Sequence, residues 1–318
     1  MMKHLSTFSI LLFALLLVFL SCELTYEDTT SFGDVYVVSV GIDYANNSDP
    51  EIKTLKGTIN DATEQQKAWK LVADQANREF YGYLMTQEGE SRTAATFVQT
   101  TYPSWTNIES TLDGIADAAS ENDLTIFTYS GHGLDKKGDL VLAHTVTTGT
   151  PSLEDILLAP EVLLEKMAGI PGRKLLLIDS CYSGIFVEEG ESSLSTHYSK
   201  RIDQWFTKYF DDMEYAPPTL MVLTASAAHD SYEADEEHSH GFFTKALLSG
   251  LGWTHPHTPE HTSLDIQALS NNRLTVDSIY SYIKKKQEIK TRWSLFSDGK
   301  FQHPTATGGP MDMVLFRF

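Results

Sequence analysis

The chain has 318 residues, 42% hydrophobic and 21% charged, an ordinary globular balance that excludes a wholly disordered chain. Its formal net charge of −19 argues against phosphate-backbone binding, which needs clustered Lys and Arg, so no nucleic-acid partner is expected. Its two cysteines, Cys22 and Cys181, are too few for a disulfide framework and sit in different contexts.

The first predicted element is a targeting segment, residues 1–21. Lys3 and His4 precede an apolar run from Ile10 to Leu20, which is short for a membrane span of roughly 20 residues but suits a signal-peptide core. Ser21 before Cys22 resembles a bacterial lipoprotein signal, in which cleavage leaves an N-terminal cysteine that is then lipidated; Phe19 stands where such signals prefer Leu. An uncleaved anchor or a plain secretory signal is the alternative. On the lipoprotein reading Cys22 is the lipidation site, and the partner is a membrane of the bacterial cell envelope, facing the periplasm or the surface. Residues 22–33 then read as a polar tether, and 34–318 as a single domain.

Asp34 to Ile42 is β-branched and apolar, as for a strand covered on both faces. Asn60 to Phe80 is predicted helical, and Thr96 to Thr101 a strand. Thr106 and Glu109 form a capping-box pattern before Leu112, Ile115 and Ala119, which share one helical face. Strands follow at Leu124 to Tyr129, Lys174 to Ile178 and Thr219 to Thr224. Helices are predicted over Phe242 to Leu251 and Val276 to Gln287, and a closing strand over Met311 to Phe318. Ile185 to Pro218 and Trp253 to Asn272 read as loops. This alternation predicts an α/β fold with a mostly parallel central sheet and helices on both faces. Ligands in such folds bind beyond the carboxyl ends of the strands.

Two predicted strands end in reactive residues: one runs into Ser130-Gly131-His132-Gly133, the other into Asp179-Ser180-Cys181-Tyr182. In a parallel sheet both ends lie on the same edge. A free thiol is only a few per cent thiolate at neutral pH, so a nearby imidazole that takes its proton makes it a nucleophile. His132 and Cys181 are therefore the candidate catalytic pair, and the backbone N–H groups of Gly133 and Cys181 the candidate oxyanion donors.

YSGHG followed by DSCYSG resembles the caspase-like cysteine peptidases, metacaspases most closely, with His132 and Cys181 separated by 49 positions. VVSVGIDY, LKGTINDA, GFFTKALLSGL and QHPTATGG are similar to further segments of that family, so the resemblance spans nearly all the chain after the tether. It implies a three-layer caspase-like fold and a peptide or protein substrate. It also implies an acidic pocket for Arg or Lys before the scissile bond, formed by Asp61, Ser130 and Asp179. Thr58 stands where that pocket usually has a Cys, and Tyr182 where the family usually has a His. From the residues alone, Asp61 also reads as a helix-start cap. Lys200-Arg201 is a candidate self-cleavage site. Many members need calcium, so calcium enters as a possible activator; the acidic runs near Asp211 and from Asp230 to Glu237 lack EF-hand spacing, and no metal site is assigned. His229, His238 and His240 read as surface histidines rather than zinc ligands.

The leading reading is a cysteine-type endopeptidase that cuts after Arg or Lys through a thioester acyl-enzyme. The alternative is a non-catalytic envelope lipoprotein using the fold as a binding module, a role that needs neither His132 nor Cys181. A serine hydrolase would require a G-x-S-x-G elbow, which is missing.

Overall fold

Val35–Ile42 forms β1, and all eight of its residues are buried. In a pleated strand alternate residues face opposite sides, so a fully buried strand must be covered twice. The computed structural model describes residues 32–45, 52–87, 100–134, 139–143, 156–180, 204–208, 219–226, 231–233, 238–253, 264–289 and 301–318. The predicted signal, Cys22, nearly all the tether, Cys181, Tyr182 and Lys200-Arg201 lie outside the described residues.

In chain order, β1 is followed by α1 (Thr58–Gln75), β2 (Phe80–Gln87), β3 (Thr100–Thr101), α2 (Trp105–Ala118) and β4 (Leu124–Ser130). Next come β5 (Leu140–Val141), β6 (Leu157–Leu158), α3 (Pro160–Gly169), β7 (Arg173–Asp179), β8 (Leu220–Thr224) and α4 (Phe242–Gly250). The chain closes with β9 (Arg273–Thr275), α5 (Val276–Lys286), β10 (Thr305–Gly308) and β11 (Val314–Arg317). The main sheet has the order β10-β8-β7-β4-β1-β2-β3. It is parallel throughout except for β10, which runs antiparallel to β8 at one edge.

The β1 pleat sorts its side chains into two cores. Val35 and Val37 pack with Trp69 and Val72 of α1, Leu247 of α4 and Ile279 of α5. Val38 and Val40 pack with Leu112 and Ile115 of α2 and Leu163 and Leu164 of α3. The result is the expected three-layer α/β arrangement, helices on both faces of a mostly parallel sheet.

Several elements differ from the sequence expectation. The helix starting near residue 60 ends at Gln75, and Phe80–Gln87 is a strand instead of a helix end. β2 buries only part of its surface, so it lacks the continuous apolar run of β1 and β4. The cap of α2 is Ser104, whose hydroxyl accepts from Asn107 N–H at 3.4 Å, and Thr106 already lies inside the helix. α3 has no counterpart in the prediction; it starts with Pro160, whose fixed φ suits a first turn. The closing strand β11 pairs with β9 in a separate small sheet, and the edge of the main sheet is β10, inside QHPTATGG.

Candidate active site

The β4–β7 register places Ser130 opposite Asp179, and Gly131 N–H donates to the Asp179 carbonyl at 3.3 Å. His132 is two positions beyond Ser130, and Cys181 is two positions beyond Asp179. The reactive residue predicted on each strand thus follows its register partner by the same step, though Cys181 itself is outside the described residues.

Both sides of the His132 peptide are held. Its N–H donates to the Tyr44 hydroxyl at 3.0 Å, and its carbonyl accepts from the Tyr129 hydroxyl at 2.8 Å. The Tyr44 hydroxyl in turn donates to the Val141 carbonyl at 2.6 Å. The Tyr44 ring lies against the imidazole, with centroids 4.7 Å apart. Gly131 is required here, because a Cβ would come within 2.6 Å of both tyrosine hydroxyls. The imidazole Nε2 is 2.6 Å from the Lys53 carbonyl, which can only accept, so Nε2 carries the proton. Burial, foremost, and the nearby Lys53 charge hold the His132 pKa below its ordinary value, against the opposing effect of the Lys53 carbonyl. The ring is then neutral at neutral pH with its lone pair on Nδ1, the state a general base requires.

Asp61, Ser130 and Asp179 lie close to one another. Asp61 lies in the first turn of α1, yet the helix has no side-chain cap, so the capping reading is wrong. Its Oδ2 accepts from Ser130 Oγ at 2.6 Å, its Oδ1 meets His240 Nδ1 at 2.8 Å, and Gly241 N–H lies 3.3 Å from both oxygens. Asp179 accepts from Ser231 Oγ at 2.7 Å and from Thr244 Oγ1 and N–H at 2.8 and 3.1 Å. Burial first, then the Asp61 charge, pushes the Asp179 carboxyl up to about 7, against the hydrogen bonds from Ser231 and Thr244. Gly241 sits between the two acids, and a Cβ there would meet Asp179 Oδ2 at 2.1 Å. Thr58, the departure from the pocket pattern, donates to the Ile42 carbonyl at 2.8 Å and joins α1 to the end of β1.

Residues 40–294 match the family model for the caspase domain, most of the chain. The chain belongs to the caspase family. No curated protein matches it. Among solved structures, caspase-1 from Spodoptera frugiperda is 12% identical with a TM-score of 0.51, covering 91% of this chain and 93% of its own. Protein GSU0716 from Geobacter sulfurreducens is 15% identical with a TM-score of 0.47, covering 89% of this chain and 98% of its own. At these identities the likeness to caspase-1 speaks for the fold alone. The family match makes the chain a caspase-like cysteine peptidase in class.

Within the caspase domain, several site residues escaped sequence reading. Tyr44 lies just past β1 and Tyr129 within β4; the Tyr44 contact to His132 arises only because β1 and β4 are adjacent, and the Tyr129 contact is a local one across three positions. Glu233, inside the acidic run to which no role was assigned, accepts from Lys56 N–H at 3.0 Å and Gly57 N–H at 2.8 Å, and so pins the segment bearing Lys53. His240, expected on the surface, is only 8% exposed. Its place directly before GFFT was the one available signal. Among the described residues, no group of three or more His, Cys, Asp or Glu side chains is placed to hold a metal ion.

Proposed function

We propose that the protein is an endopeptidase that cleaves after Arg or Lys, with Cys181 as nucleophile and His132 as general base. The observation that carries this reading is the His132 ring: Nε2 is committed to the Lys53 carbonyl, so Nδ1 is the free base at the edge of the sheet from which Cys181 follows. His132 Nδ1 takes the Cys181 thiol proton as sulfur attacks the peptide carbonyl. The tetrahedral oxyanion is held by the N–H groups of Gly133 and Cys181. The C–N bond then breaks, and the imidazolium returns its proton to the leaving amine. Water, deprotonated by the same imidazole, hydrolyses the thioester and regenerates the thiol. Asp61, Ser130 and Asp179 supply the acidic pocket, supported by their convergence around Gly241.

The reading extends to a chain anchored by lipid at Cys22 in a bacterial envelope, on the strength of residues 1–21. Peptide-library hydrolysis by the purified chain, with and without calcium, tests the enzymatic part. Cleavage after Arg and Lys is expected, with Cys181→Ala reducing it by about a thousandfold or more. Cleavage after Asp, or undiminished cleavage by Cys181→Ala, would overturn it. Mass spectrometry of the N-terminal peptide decides the anchor: an unmodified Cys22 in the native host removes it.

A further inference from the structure

His240 is held between two buried carboxylates of α1. Its Nδ1 lies 2.8 Å from Asp61 Oδ1 and its Nε2 lies 3.2 Å from Glu64 Oε2. Ionised carboxylates only accept hydrogen bonds, so both ring nitrogens must carry protons and the ring is an imidazolium. Burial alone would pull its pKa down, but the bonds to Asp61 and Glu64 prevail and hold it at about 10. Glu64 is also committed, accepting from Trp253 Nε1 at 2.7 Å. The two acids, at positions i and i+3 of one helical turn, thus enclose a resident cation.

This matters for the acidic pocket. Asp61 receives donors from His240, Ser130 and Gly241 and is 1% exposed. A guanidinium entering the pocket meets an Asp61 whose charge is already matched. Asp179 is the remaining acid, and none of its three donors is a cation. A cleft of about 360 Å³, lined by Glu64, His240, Phe242, Lys245, Trp253 and Tyr282 among others, borders the imidazole.

Building on the basic-specificity reading above, we propose that His240 is a specificity-determining residue: as an internal cation it occupies Asp61, so that recognition of a basic side chain falls chiefly on Asp179. His240 weakens the pocket's hold on positive charge without touching the reacting atoms. Removing its charge returns Asp61 to the pocket.

Agmatine, a guanidinium lacking a scissile bond, separates binding from chemistry. Calorimetric titration of the full chain in detergent is expected to show His240→Gln binding agmatine about tenfold more tightly than the unaltered protein, since a buried opposite charge is released. The gain should vanish in the His240→Gln/Asp61→Asn double variant. Equal or weaker agmatine binding by folded His240→Gln, with cleavage after Arg intact, overturns this proposal and leaves the basic specificity standing. No agmatine binding by any form, with no cleavage after Arg or Lys, overturns both. Should His240→Gln fail to fold, 15N-histidine NMR of the unaltered protein decides. Two protonated ring nitrogens on His240 at pH 8, with resonances that shift on saturation with agmatine, support the proposal. A neutral ring, or unshifted resonances, overturns it.

Discussion

Tyr44 adopts a φ of 57°, in the left-handed region that a bulky residue rarely enters. That conformation brings its hydroxyl to the His132 N–H while its ring backs the imidazole. Strain of this kind persists where surrounding contacts over-determine it, often at functional sites. Tyr44→Phe keeps the ring and removes the acceptor. On the proposed mechanism, kcat should fall about tenfold, ~1.4 kcal/mol in barrier, with KM changed less than about twofold, because the base is misaligned and the pocket untouched. Steady-state kinetics on an Arg peptide measures this; an equal loss in Tyr44→Leu and Tyr44→Phe assigns the effect to the hydroxyl. The second residue-scale expectation concerns Asp179, whose carboxyl is raised from 3.8 to about 7. Between those values the unfolded chain has released a proton that the native state keeps. Native stability therefore falls as pH rises through that window, and the contribution is fully present only at its acid end. Thermal melts from pH 4 to 8 should show that decline and show it reduced in Asp179→Asn. Binding of an Arg peptide should move the opposite way, weakening on acidification through pH 7 as the pocket loses charge, with KM rising accordingly.

At the scale of elements, the site depends on how closely α1 approaches β1. Gly41 makes this possible: a Cβ there would lie 2.4 Å from the Thr58 carbonyl and 2.8 Å from the Ala62 Cβ. Backbone at a helix start cannot give way as a flexible side chain can. Gly41→Ala is expected to push the first turn of α1 outward, carrying Asp61 from Ser130, and to cost about 2–3 kcal/mol by overpacking. Denaturant unfolding would register the loss, together with weaker binding of basic peptides. The elements most legible in the sequence were those buried on both faces, since β1, β4 and β7 are largely apolar runs, and the ends of β4 and β7 carry the reactive motifs. β2 was missed because a strand covered in part has no such run, and its Gly82 further dilutes the pattern. The acidic trio was legible only through family resemblance. The residues that saturate it, Ser231, His240 and Thr244, are 52, 179 and 65 positions from the acids they touch, a separation that no local pattern encodes.

Across the whole molecule, Arg78 joins the two ends of the domain. Its guanidinium donates to the carbonyls of Gly33, of Asp34 at 2.9 Å and of Leu315 at 2.9 Å. Burial, and next the neighbouring Arg173, lower its pKa to about 10, so it stays charged at neutral pH. Arg78→Met fills much of the same space but leaves carbonyls from both ends of the domain without their donor. A loss of about 2–4 kcal/mol is expected in equilibrium unfolding, with kcat of the folded fraction retained. A matching fall in kcat would show that this end of the sheet is coupled to the other.

Phe32, where the described chain begins, lies under the guanidiniums of Arg78, Arg173 and Arg317 at 5.6, 4.1 and 5.0 Å. Those arginines stand at the amino-terminal ends of β2 and β7 and on β11, whereas His132 follows the carboxyl end of β4. The described chain therefore starts at the end of the sheet opposite the one that His132 follows. Strands of seven or eight residues separate the two ends by about 25 Å at ~3.3 Å per residue. On the proposed function, a substrate peptide would meet the domain at the end of the sheet furthest from Phe32.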